Sequence, residues 1–171
     1  MNRWYAVQTT TGAEQDVRMR LNRLAYPAML PMKVMRERRG GKAIDVTRMM
    51  LPGYAFVATE MRATDWHRIR NLPGVLRILG GESPTPLSEE EVARIAWLDN
   101  GSVPWAISTA RATPEGAVIT GGPLAEYENE IESIDRRQNR ARIRASILGE
   151  TKHIDLALIF EEDRQSVEPE G

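Results

Sequence analysis

The residues able to do chemistry in this sequence are few, and their spacing argues against catalysis. The two histidines, His67 and His153, are far apart, and neither sits in a ligand-spaced motif. Cysteine is absent, which removes thiolate nucleophiles, disulfides and thiolate metal sites. Gly40-Gly41-Lys42 lacks the upstream glycine and the following Ser or Thr of a phosphate loop, and Gly121-Gly122-Pro123 reads as a turn. Glu89-Glu90-Glu91 is most simply a solvated helix start, where carboxylates meet the positive end of the helix dipole. No nucleophile–base pair or metal set can be assembled. The sequence therefore predicts a non-enzymatic protein with no cofactor and no metal.

What remains is binding chemistry. Tyr54-Ala55-Phe56-Val57-Ala58-Thr59 follows a Pro52-Gly53 turn and reads as a strand. Alternation puts Tyr54, Phe56 and Ala58 on one face and only small residues on the other. Two readings stand for the aromatics: ordinary core, or an exposed apolar patch for a partner helix.

Arg136-Arg137-Gln138-Asn139-Arg140-Ala141-Arg142-Ile143-Arg144 holds five arginines in nine residues. Ala141, Ile143 and Ala145 alternate with Arg142 and Arg144, so the guanidinium groups should share an outer face. Planar, permanently charged and bidentate, they suit phosphate. The bland alternative is a solvated face balanced by Glu126, Glu128, Glu130 and Glu132 on a neighbouring strand. No aromatic row interleaves, which argues against a single-strand stacking platform. Arg18, Arg20 and Arg23 form a third basic group, read either as solvated helix surface or as a DNA backbone contact. Arg36 to Lys42 form a fourth, most simply an exposed loop.

The elements that must position these groups follow from periodicity. Arg3 to Thr9 alternates as a strand. Thr11-Gly12-Ala13-Glu14 matches a capping box, and Val17, Leu21 and Leu24 recur at helical spacing until Tyr26-Pro27. Ala28–Val34 is a short strand, and Ala43–Thr47 either pairs back across Gly40-Gly41 as a hairpin or forms a flexible loop. Arg62–Leu72 is helical with Trp66, Ile69 and Leu72 inward, and Val75–Leu79 is a strand. Ser88 and Glu91 make a capping box with a Leu87–Val92 staple, opening a helix through Leu98. Asn100 to Pro114 reads as a linker, tacked down by Trp105. Short strands follow at Ala117–Thr120, Glu128–Ile134, Ala141–Leu148 and His153–Leu158, the spacing of a small β-barrel. The tail from Glu161 is acidic and should fray.

With 171 residues, 42% apolar and 27% charged, the chain has room for one domain or two small ones. Residues 1–101 carry 15 Lys and Arg against 11 Asp and Glu, a balance of +4; residues 102–171 carry 8 against 13, a balance of −5. The asymmetry supports two units with different partners. No run reaches the roughly 18–20 apolar residues of a membrane span, and the first residues lack the apolar core of a secretory signal. The expected setting is cytoplasmic, without a membrane partner, and the expected state is monomeric.

Several segments, in order, resemble the NusG family of transcription factors. These are Trp4-Tyr5-Ala6-Val7, Leu51-Pro52-Gly53-Tyr54-Ala55-Phe56-Val57, Leu72-Pro73-Gly74-Val75, Pro86-Leu87-Ser88-Glu89-Glu90-Glu91-Val92, and Gly116-Ala117-Val118-Ile119-Thr120-Gly121-Gly122-Pro123-Leu124. The resemblance implies an α+β NGN domain over 1–99, mainly an antiparallel sheet with three helices, that binds polymerase. A linker over 100–114, a small KOW β-barrel over 115–163 and an acidic tail over 164–171 would follow.

The resemblance also implies roles. Leu51, Pro52, Tyr54 and Phe56 would meet the clamp helices of the largest RNA polymerase subunit. Trp66, His67 and Arg68 would approach the far side of the cleft, and Arg20 and Arg23 the non-template DNA strand. Bridging the cleft would suppress pausing and oppose termination. The run Ala125-Glu126-Tyr127-Glu128-Asn129 departs from the basic, glycine-rich loop of general members, with Asn129 standing in for a glycine through its tolerance of the left-handed region. Basicity has moved to Arg136, Arg137, Arg140, Arg142 and Arg144. That pattern is similar to the LoaP-type branch, which acts on selected operons and recognises an RNA hairpin through the barrel. Two alternatives are a general adaptor whose barrel binds a ribosomal or termination protein, and a translation-associated RNA-binding protein; the N-terminal domain argues against the second.

Overall fold

The computed structural model describes residues 1–165. In chain order its elements are β1 (Arg3–Thr9), α1 (Glu14–Arg23), β2 (Ala28–Met29), β3 (Met32–Arg39), β4 (Lys42–Met49), β5 (Tyr54–Thr59), α2 (Ala63–Arg70), β6 (Val75–Ile78), α3 (Glu89–Asp99), β7 (Ser108–Thr113), β8 (Gly116–Gly121), β9 (Ile131–Asp135), β10 (Arg140–Ile147), β11 (Glu150–Phe160) and α4 (Glu161–Gln165). They form two compact units, Met1–Met32 with Met49–Val103, and Lys33–Arg48 with the chain from Pro104 onward.

The first unit is built on a four-stranded antiparallel sheet in the order β2-β5-β1-β6. Tyr5 pairs with Val57 and Val7 with Ala55. These four side chains pack with Val17 and Leu21 of α1 and Ile69 of α2 in one buried cluster, with Trp66 and Leu72 against its margin. Burying such a side chain contributes about 1.5–3 kcal/mol each, so this face fixes α1 and α2.

The opposite face carries Ala6 paired with Phe56 and Trp4 paired with Ala58. Helix α3 covers it, because both its ends are pinned. Leu87 N donates to Trp4 O of β1 at 2.8 Å, and Leu30 N, just after β2, donates to Asp99 Oδ1 at 2.8 Å. Strand β5 lies between β1 and β2, so the helix must cross over it. Ile95 and Leu98 of α3 are fully buried, as is Phe56. The capping box at the start of α3 is present: Glu91 N donates to Ser88 Oγ and Ser88 N to Glu91 Oε1, each at 3.1 Å.

In the second unit β3 and β4 form a two-stranded hairpin around Gly40-Gly41, both at positive φ; Arg36–Arg39 and Lys42, read as an exposed loop, lie on its two strands. Val34 N donates to Trp105 O at 2.8 Å, and Lys33 Nζ donates to Asp155 O at 2.6 Å. Burial pushes the Lys33 ammonium below the ordinary lysine value. The remaining strands form a five-stranded sheet in the order β8-β7-β11-β10-β9. Strand β11 runs antiparallel to β10 from Glu150 to Ala157, then parallel to β7 at Leu158–Phe160. One long strand thus joins both halves and curls the sheet in the manner of a small β-barrel. Ile119, Leu124, Ile143, Ile147, Ile154, Leu156 and Phe160 fill its interior.

Several local expectations need correction. Ser108–Thr113, read as linker, is strand β7, because it gains ladder bonds from both β8 and the distant end of β11. Thr11 caps nothing: the N-cap of α1 is Ala13 without a side-chain bond, and the buried Glu14 carboxylate accepts the Gly12 amide instead. Glu128–Glu130 is a 3-10 turn and β9 begins only at Ile131. Asn129 is not in the left-handed region; Asn139 is, at φ 56°. The tail is helical from Glu161 to Gln165, and the rest of it lies outside the described residues.

Candidate functional site

In the first unit the expected aromatic strip divides at the sheet surface. Phe56 has 0% and Leu51 5% of its surface exposed. Neither ring nor isobutyl group can therefore meet a partner without opening the fold, which corrects the reading of Phe56 as a docking aromatic. Alternation did put it opposite the small residues, but α3 occupies that face. Pro52 is exposed and Tyr54 half-buried. Tyr54 pairs with Gln8, and Gln8 with Arg77, so the three residues form a row across β5, β1 and β6 on one sheet face. Arg77 Nε donates to Gln8 Oε1 at 2.9 Å. Gln8 and Arg77 escape sequence reasoning, since cross-strand register carries no local signal.

Around α2, Trp66 Nε1 donates to Gly81 O at 2.9 Å and the indole is half-buried. Its ring is edge-on to His67 at 5.0 Å. His67 and Arg68 face solvent, so Trp66 is a strut beneath two exposed polar groups. On α1, Arg23 is exposed, whereas Arg20 is half-buried and donates from Nη1 to Pro73 O at 3.2 Å.

In the second unit the alternation on β10 holds. Ala141, Ile143 and Ala145 are buried while Arg142 and Arg144 are exposed. The charge balance is not the expected one. Of the four glutamates proposed as counter-ions, Glu132 is the one on the neighbouring strand, with its Oε1 4.0 Å from Arg144 Nη1. Glu126 and Glu128–Glu130 sit in 3-10 turns. Asp155 and Asp163 supply the closer contacts.

Arg142 Nε donates to Asp155 Oδ1 at 2.9 Å, and Arg140 Nη1 lies 3.7 Å from Asp155 Oδ2. Arg136 grips Asp163 through both terminal nitrogens at 3.2 and 3.1 Å and lies over the Phe160 ring at 4.1 Å. Arg137 is exposed. The Arg142 bond, ahead of other causes, holds the Asp155 carboxyl below the usual carboxylate range. Asp155 lies on the adjacent hairpin strand, where only the register shows that it faces Arg142, and Asp163 reaches Arg136 from α4, so neither carried a signal in the sequence. Among the described residues, no group of three His, Asp or Glu could hold a metal ion, and no helix is long and apolar enough to cross a membrane.

Comparison with known proteins bears on both units. The family model for the transcription termination factor nusG matches residues 2–96. The chain belongs to the NusG family. The transcription termination/antitermination protein NusG of Buchnera aphidicola is 31% identical over 169 residues, covering 90% of this chain and 92% of that one. The NusG protein of Escherichia coli K12 is 30% identical with the same coverage, and that of Rickettsia felis is 29% identical over 91% of this chain and 87% of its own. A solved chain from work on domain interaction in Thermotoga maritima NusG matches 92% of this chain and 94% of its own with a TM-score of 0.53 at 18% identity. That likeness supports the fold: a mixed α+β sheet with helices, followed by a curled β-sheet. The chain is thus a NusG-like transcription termination/antitermination factor, and these relatives bear the general NusG name.

Proposed function

We propose that the chain is an operon-selective elongation and antitermination factor of the LoaP type. In this reading the first unit docks on RNA polymerase and the β10 arginines bind RNA. Docking on the clamp helices would use Tyr54 with Pro52, extended by Gln8 and Arg77, while Phe56, on the same face of β5, stays buried and anchors the strand. His67 and Arg68 would approach the opposite side of the cleft, and Arg23, with Arg20 beside it, the non-template strand. The observation that carries the RNA part is the alternation on β10, which fixes Arg142 and Arg144 on a rigid strand facing solvent beside the exposed Arg137. Guanidinium groups held this way are pre-organised for backbone phosphates.

A second reading is favoured by a different observation: Arg136, Arg140, Arg142 and Arg144 each have a carboxylate within 4.0 Å. A sheet so neutralised suits a general adaptor whose barrel binds a ribosomal or termination protein. Purification of the tagged chain from lysate with and without nuclease separates the two. Polymerase should be retained in both arms by wild type and lost with Tyr54→Ala. Replacing Arg137, Arg140 and Arg142 by Ala should weaken binding to an RNA hairpin and flatten its salt slope by up to about 1 per lost phosphate contact. Unchanged affinity and slope, with a protein partner that survives nuclease, would establish the adaptor instead.

A further inference from the structure

A small polar cavity of about 150 Å³ opens on the outer face of the β9–β10–β11 sheet, lined by Ser133, Asp135, Gln138, Arg140, Arg142 and Asp155. Inside it the Asp155 carboxylate is held between two guanidinium groups, Arg142 on one oxygen at 2.9 Å and Arg140 near the other at 3.7 Å. Asp155 faces Arg142 directly across the ladder, and its side chain keeps 26% of its surface exposed. The second acid is already engaged, since Asp135 Oδ1 accepts the Gln138 amide at 3.0 Å.

We propose that this cavity is a subsite for one phosphodiester of an RNA backbone, and that Asp155 occupies the position of that phosphate until the RNA displaces it. The proposal rests on the reading that the β10 arginines bind RNA, and adds to it how the site is kept closed to weak anions.

The geometry supports an exchange. A phosphate and a carboxylate present similar acceptor pairs to a guanidinium fork, so Arg142 and Arg140 can keep their orientation while changing partner. The Asp155 backbone need not move, because its carbonyl is anchored by Lys33 Nζ at 2.6 Å. An exposed ion pair is weak enough to be displaced. Its presence still imposes a threshold that a single small anion does not overcome and a polyanion, contacting Arg137 as well, does. Ser133 and Gln138 line the cavity as further neutral donors.

The test is fluorescence anisotropy with a labelled, fully paired RNA hairpin of about 20 nucleotides, at salt concentrations on the order of 50–200 mM, using the full chain. Asp155→Asn keeps the side-chain shape and removes the competing charge. It should tighten binding by about two- to fivefold, the range set by an exposed ion pair, and steepen the salt slope. Arg142→Ala should weaken binding, and the double variant should lose the gain of Asp155→Asn. Inorganic phosphate should compete poorly with wild type and better with Asp155→Asn. A DNA hairpin of the same sequence reports the source of the phosphate; equal tightening there supports the subsite and extends it to either nucleic acid.

If Arg142→Ala weakens binding but Asp155→Asn does not tighten it, the exchange is overturned and the RNA reading survives. If neither variant changes affinity, both fail. A measurement on wild type guards against a misfolded variant: the Arg142 Nε–H resonance should shift on RNA addition, and an unmoved resonance under saturating RNA overturns the proposal.

Discussion

Asp99 Oδ1 accepts the amide of Leu30 at 2.8 Å while its Oδ2 accepts the amide of Ser102 at 3.0 Å. One carboxylate, 6% exposed, thus ties the last turn of α3 to the residue after β2 and closes the turn that follows the helix. Asp99→Ala would leave two amides without that acceptor, at about 1–3 kcal/mol for each one that water does not reach. The expected result is a clear fall in the urea midpoint of the first unit. Asp99→Asn, which keeps one acceptor oxygen, should lose about half as much.

Because α3 is fixed in this way, Phe56 and Tyr54 should separate in a mutational experiment. Phe56→Ala opens a cavity in a fully buried site and should cost about 3–5 kcal/mol. Tyr54→Ala, at a half-buried position, should cost less than half of that. Paired melting curves and polymerase co-purification distinguish stability from docking. Loss of polymerase with Tyr54→Ala at a nearly unchanged melting temperature identifies a contact. The same loss with Phe56→Ala is expected to track unfolding.

Features set by near neighbours in the chain were legible in the sequence, and those set by distant ones were not. The Ser88–Glu91 box, the Gly40-Gly41 hairpin and the in–out alternation of β10 each depend on residues within a few positions. The burial of Phe56 depends on α3, more than thirty positions later, so alternation identified its face but not what covers it. Ser108–Thr113 pairs with the adjacent β8 across a short turn and also, in parallel, with Leu158–Phe160; its own Ser, Thr and Ala residues carry no alternation of apolar and polar groups to announce either. The Thr11-to-Glu14 motif failed for a related reason: Glu14 is buried, and its carboxylate turns to Gly12 rather than to a threonine cap. At the arginine strand the outward face was legible, but not its counter-ions, whose identity depends on the β10–β11 register and on the placing of α4.

The Tyr26–Asp65 pair gives the first unit a two-sided pH dependence. Tyr26 Oη donates to Asp65 Oδ1 at 2.6 Å. That bond, chiefly, holds the Asp65 carboxyl below its ordinary 3.8. Burial first, and the same bond second, push the Tyr26 phenol above its ordinary 10.0. Asp65 then contributes stability present above pH 3.8 and lost as pH falls through its folded value. Tyr26 contributes stability present below pH 10.0 and lost as pH rises through its folded value. Solvent reaches the carboxylate, so Tyr26→Phe should cost only about 0.5–1.5 kcal/mol near neutrality. Thermal melts across pH should show the gap between wild type and variant narrowing at both ends. A gap constant from pH 3 to 11 would mean that lost packing, not the bond, is being measured.

Gly122 tests whether the curled sheet depends on one backbone conformation. Its φ of 84° and ψ of −176° lie in a region open essentially to glycine alone. A Cβ there would stand 2.6 Å from Ser108 Cα and 2.8 Å from Ser108 Oγ. Ser108 cannot yield, because it is 1% exposed and its Oγ accepts the Leu124 amide at 3.0 Å. Gly122→Ala therefore adds backbone strain to an overpacked contact, about 2–5 kcal/mol together. Gly149 is the control: its φ is also positive, at 73°, but a Cβ would meet nothing within 4 Å, so Gly149→Ala should cost only the backbone term of about 1–2 kcal/mol. Hydrogen exchange on the full chain should then show β7, β8 and β11 losing protection in Gly122→Ala, with β1 and β5 retaining theirs. Equal protection in the two variants would mean that the Ser108 contact relaxes freely, and that the turn preceding the Pro123–Glu126 3-10 segment is not what holds β8 against β7.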